Sequence, residues 1–213
     1  MTFPFTLHLH HQRWAVFSDD HRYRYKLTRS INADLPAMGV VAHHPGAGGH
    51  HRNDDTVSAL IDLAKSFGRG RFDLYNLHAG ISTDAAQLAA MDDPTGPDND
   101  AWLDQLAQDH DFILLTWGQD ADPQRARTVS RRLWHAMNER AGTLAVLGWT
   151  TGDNPQPARI TSSTQVTALQ SLTATGDLDA YTWSDPRWAQ LVADTTDLDT
   201  DRPTRSRRFR RAS

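Results

Sequence analysis

No cysteine occurs among the 213 residues, so disulfides, thiolate metal sites and cysteine nucleophiles are excluded at the outset. Lysine is nearly as scarce. Lys26 and Lys65 stand alone beside many arginines, a bias that reads as coding composition rather than as function. No apolar run approaches the roughly 20 residues of a membrane helix, and no membrane partner is expected. The opening MTFPFTLHLHHQRW has neither the basic region nor the long apolar stretch of a secretory signal. A cytoplasmic protein is the expectation.

What is present suits one well-buried core: 38% of the residues are hydrophobic in a chain of adequate length. Charge is unevenly spread. The net charge is −4, but Arg202 to Ser213 holds six arginines and no acid, which leaves −10 for residues 1–201. An acidic body argues against a protein that coats nucleic acid over its whole surface. The basic tail, Arg202 to Arg211, is left as a candidate phosphate contact or a solvated end.

The patterning alternates strands and helices. FTLHLHHQRWAVF and HRYRYKLTR are β-prone stretches around the turn-rich SDDH and predict an N-terminal hairpin. MGVVA, FDLYNL, FILLT and TLAVLG predict four buried strands. Between them, Val57, Leu60, Ile61, Ala64 and Phe67 recur at helical spacing, with Asp54 or Asp55 placed to cap that helix. TDAAQLAAM predicts a short helix, Asp100 is placed to cap another that runs through His110, and DPQRARTVSRRLWHAMNERAG predicts a long one. The expected fold is α/β and three-layer: a mainly parallel sheet with helices on both faces, plus the N-terminal β-hairpin. Residues 1–160 form the domain in this reading, and 161–201 a loosely determined extension packing on it with room for one helix in DPRWAQLVADTTDL. Residues 202–213 form a disordered basic tail.

The densest chemistry lies in VVAHHPGAGGHHRNDDT, Val40 to Thr56. Its histidines and aspartates are competent metal ligands, but neighbouring histidines on an extended segment point to opposite sides. No spaced ligand signature is present, so neither metal nor cofactor is expected. Gly46, Gly48 and Gly49 allow close backbone approach to a ligand ahead of a helix N-terminus, which favours an anion. No lysine follows, which argues against a GxxxxGK[ST] phosphate loop. Asp55, Asp54 or His44 is also a candidate general base, with capping as the alternative for the aspartates.

In a parallel sheet, ligands bind where loops leave the carboxyl ends of the strands. The opening loop, Asn76, TWGQD with Trp117 and Gly118, and GWTTGDN with Thr151 all fall at such ends. Trp117 is either a stacking surface for a base or a core residue. Arg22, Arg24 and Arg29 interleave with Tyr23 and Tyr25, a pattern suited to phosphate contact or to a solvated edge strand.

Taken in order, these segments resemble the bacterial and phage family called domain of unknown function 1643. RYRYKLTR (Arg22 to Arg29) matches its opening arginine-tyrosine motif, and HHPGAGGHHRNDDT stands in place of an Asn-Pro-Ser loop followed by Asp-Asp-Pro-Thr. YNLHA, DPTGPDND with Asn99, TWG and LGWTTGDNPQP complete the series, which covers Arg22 to Pro157. Two positions depart from it. His44-Pro45-Gly46 replaces Asn-Pro-Ser, and Gln156-Pro157 stands where the family ends in His-Pro.

The resemblance implies a layout more than a reaction. By analogy with uracil-DNA-glycosylase-type proteins, a water-positioning acid, a base-reading asparagine and a late His-Pro loop would correspond to Asp54 or Asp55, Asn76 and NPQP. The expected function is therefore nucleotide-, nucleobase- or nucleic-acid-directed, with a glycosylase-like hydrolase as its sharpest form. A non-catalytic binding or phage–host interaction module is the alternative. Residue types and spacing leave the oligomeric state open.

Overall fold

The computed structural model describes residues 13–46, 52–159, 170–173 and 185–193. Among them, a seven-stranded sheet runs in the order β1-β2-β4-β3-β5-β6-β7. Its strands are β1 (Arg13–Phe17), β2 (Arg24–Ser30), β3 (Ala37–Ala42), β4 (Arg71–Asn76), β5 (Phe112–Leu115), β6 (Thr143–Val146) and β7 (Gln170–Thr173). The helices are α1 (Asp55–Ser66), α2 (Ala85–Ala89), α3 (Asn99–Asp109), α4 (Pro123–Asn138) and α5 (Pro186–Val192).

The centre of the sheet, β4-β3-β5-β6, is parallel. Both flanks are antiparallel: β1 with β2, β2 with β4, and β7 with β6. The sheet is therefore mixed, which corrects the expectation of a mainly parallel one. A short turn can join only antiparallel neighbours, and the β1–β2 hairpin lies in the plane of the sheet, extending its edge. β7 falls in a threonine-rich stretch that carries little periodic signal.

The four predicted buried strands coincide with β3 to β6, because continuous apolar runs suit strands covered on both sides. Alternate residues of each strand enter different apolar clusters. Val40, Leu74, Leu114 and Ala145 pack with Val57, Leu60, Leu63 and Ala64 of α1. Val41, Tyr75, Leu115 and Val146 pack with Leu103 and Leu106 of α3, Val129 and Leu133 of α4, and Trp188 of α5. Each such aliphatic side chain contributes about 1.5–3 kcal/mol on burial. Among the described residues, no helix is long and apolar enough to cross a membrane.

Helix starts follow local chemistry. Asp54 caps α1, its carboxylate accepting the Val57 amide at 2.8 Å. Asp122 caps α4 through the Arg125 amide, followed by Pro123 in the first turn. Asp100 does not cap α3: the helix already begins at Asn99, and Asp100 instead pairs with Arg125 at 2.6 Å.

One charged cluster is built into the sheet. Asp73 is 1% exposed and accepts from Thr28 Oγ1 at 2.6 Å. Lys26 Nζ, Arg71 Nη2 and His110 Nε2 approach its other oxygen at 3.1, 3.2 and 3.3 Å. Burial works to raise the Asp73 pKa. The hydrogen bonds from His110 and Thr28 and the charges of Lys26 and Arg71 outweigh it and hold the carboxyl well below the usual range. The network ties β2 to β4 and to the end of α3.

Candidate functional site

β3 and β4 end side by side at Ala42 and Asn76. The polypeptide leaves β3 through His43, His44, Pro45 and Gly46 and re-enters described structure at Arg52, just before α1. Gly48, Gly49, His50 and His51 lie outside the described residues, as does the arginine tail. A Cβ on Gly46 would lie 3.5 Å from Asp54 Oδ2, so the loop passes close to the cap of α1. The Asp54 carboxylate is engaged as that cap, while Asp55 opens the helix with an exposed side chain.

Asn76 is 1% exposed, and neither its side-chain oxygen nor its side-chain nitrogen has a hydrogen-bond partner among the described residues. Phe72 and Leu74, two and four residues earlier, lie in the cluster on the α1 side, as does Ala42, its neighbour on β3. Strand alternation places the Asn76 amide on that same side. An unmatched buried amide costs about 1–3 kcal/mol, a deficit that a ligand's hydrogen bonds would remove.

Asn99 has a different duty. Its Nδ2 donates to the backbone carbonyls of Asn76 at 3.2 Å and Leu77 at 3.0 Å. Arg125 Nε adds a bond to the Leu77 carbonyl at 2.8 Å. These contacts satisfy the carbonyls where β4 stops pairing, so Asn99 fixes the strand end and leaves its own amide nitrogen occupied.

Arg24 and Arg29 are five residues apart, and unbroken alternation would set them on opposite faces of β2. The register prevents this. Val16 pairs with Lys26 but Phe17 pairs with Arg24, skipping Tyr25, and such an irregularity re-aims the side chains beyond it. Arg24 is 3% exposed, and its Nε has no hydrogen-bond partner among the described residues. Burial pushes its pKa down to about 10; the Asp54 charge opposes this and Arg29 adds to it. Arg29 donates from Nε to Asn53 Oδ1 at 2.9 Å and from Nη1 to the Thr28 carbonyl at 2.9 Å. Burial, then Arg13, lowers its pKa, and Asp54 opposes them. Asp54, which already caps α1, acts on both of these buried cations.

The histidines form a second group at the same strand ends. His44 Nδ1 lies 2.9 Å from Ser82 Oγ and 3.3 Å from the Pro45 carbonyl. The His43 ring meets those of His44 and His78 edge-on, with centroids 4.9 and 6.1 Å away. Burial lowers the His43 pKa to about 4, helped by His44 and His78 and opposed by Asp120. Burial and Arg125 lower that of His78, whose Nδ1 lies 3.2 Å from Thr95 Oγ1. His43 and His78 are therefore neutral at pH 7. No group of three metal-ligating side chains is arranged for an ion among the described residues.

His78 and Ser82 were missed by sequence reasoning. His78 follows Asn76 by two residues and could have been flagged for that. Ser82 carries no local signal at all.

The remaining predicted residues do not join Asn76. Trp117 is 4% exposed in the cluster beneath α3 and α4, and its Nε1 donates to Asn154 Oδ1 at 3.2 Å. Of the two alternatives for Trp117, the structure places the indole in the core. Gly118 has φ +84° and donates its amide to the Pro155 carbonyl at 2.9 Å, a turn that clasps the loop 148–157. Thr151 is exposed at the tip of that loop. Gln156 donates to the Trp149 carbonyl at 3.0 Å and supports the same loop.

A family model described as "Protein of unknown function (DUF1643)" matches residues 24–157. The chain belongs to that family. No curated protein and no solved structure matches.

Proposed function

We propose that this member of the DUF1643 family binds a nucleotide, or a base within a nucleic acid, at the carboxyl ends of β3 and β4 on the side covered by α1. The observation that carries the reading is Asn76, a buried amide with both polar atoms unmatched among the described residues, accompanied by the buried Arg24, whose Nε has no partner among them. An amide offers one donor and one acceptor in a plane, the pattern that reads the edge of a base. A buried arginine suits the phosphate attached to it. The two apolar clusters support a three-layer arrangement in which, among the described helices, α1 covers this side, and the cytoplasm is the setting in which such ligands are met.

Binding ranks above hydrolysis in this reading. A glycosylase-like reaction needs a carboxylate or imidazole free to activate water. Asp54 is engaged as a cap and His44 Nδ1 lies against Ser82 Oγ and the Pro45 carbonyl, which leaves the exposed Asp55 and the other ring nitrogen of His44 as the remaining candidate bases. Gln156, where the family has histidine, supports a loop carbonyl instead of offering a titratable ring.

Equilibrium titration with nucleosides and nucleoside monophosphates tests the proposal. Monophosphates should bind, and the matching nucleosides should bind more weakly for want of the Arg24 contact. Absence of binding by every base type at millimolar concentration would overturn it.

A further inference from the structure

A cavity of about 130 Å³ lies farther along the same face, between β1, β2 and α1. Arg13, Arg29 and Lys65 line it together with Ser30, Asn53 and Ile61, and no carboxylate is among its lining residues. Arg13 and Arg29 are paired across the hairpin and so project to one side of the sheet. The nearest acid acting on Lys65 is Asp62, 3.7 Å away on the same helix, in a pair whose side chains are more than half exposed. Such a pair contributes little and yields readily to a stronger anion.

Arg29 connects this cavity to the strand-end site. It lines the cavity, and its charge acts on Arg24. β2 runs antiparallel to β4, so Arg24 stands at the Asn76 end and Ser30 opposite Arg71 at the other. Those six steps cover about 20 Å. Arg13, Arg29 and Lys65 therefore stand around the cavity, and Arg24 continues the positive charge along the face between the hairpin and α1 toward the Asn76 end.

We propose that the cavity is a second phosphate subsite and that the cationic face between the hairpin and α1 takes the backbone of a single-stranded oligonucleotide whose base is read at Asn76. This rests on the nucleotide reading of the strand-end site and names its substrate class. A base held at Asn76 with its own phosphate at Arg24 leaves the cavity for the phosphate of a neighbouring nucleotide, and a positively charged face with one base-reading pocket suits a strand.

The test is fluorescence anisotropy with a labelled nucleoside monophosphate and a labelled single-stranded hexanucleotide, each titrated with intact protein across a salt series. The hexanucleotide should bind at least tenfold more tightly. Arg13→Ala combined with Lys65→Ala should abolish that gain, leave monophosphate affinity unchanged, and flatten the salt dependence of hexanucleotide binding by about 1.4 log units per log unit of salt. Lys65→Glu, at a half-exposed helix position, supplies the same readout should the double variant misfold. Equal affinity for the two probes, or full retention of the gain in Lys65→Glu, would overturn the inference. If the monophosphate binds through Asn76 but length adds nothing, only this inference falls. If neither probe binds, the nucleotide reading falls with it.

Discussion

Asn99 donates its side-chain amide to the backbone carbonyl of Asn76 at 3.2 Å, so one asparagine holds in place the strand end that carries another. The two residues are both buried and are adjacent in space, but their side-chain nitrogens are in opposite states. The Asn99 nitrogen is shared between two carbonyls, whereas the Asn76 amide is unmatched among the described residues.

Asn99→Ala should therefore cost stability. It strips partners from two strand-end carbonyls, a loss of about 1–3 kcal/mol, to be read from urea unfolding. Asn76→Ala should leave the midpoint nearly unchanged or raise it, since it removes an unmatched group instead of a bond. Equal destabilisation by both variants would mean that Asn76 is structural.

Arg24→Met should separate stability from binding in the same way. Replacing a buried, under-paired charge by an apolar side chain of similar volume is often neutral or stabilising. The melting temperature should hold or rise, and affinity for nucleoside monophosphates should fall at least tenfold while that for nucleosides stays unchanged. A marked drop in melting temperature would assign Arg24 to the fold instead.

The buried Asp73 cluster predicts an acid-sensitive fold. The folded pKa of Asp73 lies below its unfolded value of about 3.9. The native state therefore binds fewer protons than the unfolded state in that range. The stabilisation is fully present above about pH 4 and is lost as pH falls through the folded value. Asp73→Asn should destabilise at neutral pH by about 3–5 kcal/mol, because Lys26 would remain buried without its counter-charge. Chemical denaturation across pH checks both statements.

His43 gives a separate pH window. Its folded pKa is about 4, against about 6.5 unfolded. Between those values the unfolded chain binds the extra proton, so stability falls as pH drops from about 6.5 to 4 and is flat in this respect above 6.5. His43→Gln should remove the His43 share of that slope and leave the share of His78, whose pKa burial also lowers. An NMR titration of the His43 ring with a midpoint near 6.5 would contradict the burial described for it.

The central strands were legible because continuous apolar runs such as FILL and MGVVA have few other uses in a chain of this length. The Asp54 cap was legible because capping depends only on neighbours in sequence. The mixed flanks were not, since strand direction at an edge follows from which strand is adjacent in space, and β7 offered no periodicity. Trp117 looked equally suited to cleft and core; the packing of α3 and α4 decided it.

Arg24 shows the limit most clearly. Its motif is conspicuous, but the irregularity near Tyr25 that turns it toward Arg29 leaves no mark on residue types. Strand ends pointed to a candidate position, whereas the polar environment there depended on which amides found partners, a property of the folded neighbourhood.

The most direct test is a crystal structure of the protein with a nucleoside monophosphate. The account predicts the base edge within hydrogen-bond reach of the Asn76 amide, about 2.7–3.2 Å, with the phosphate against Arg24. A ligand bound elsewhere, with the Asn76 amide contacting only protein, would contradict it.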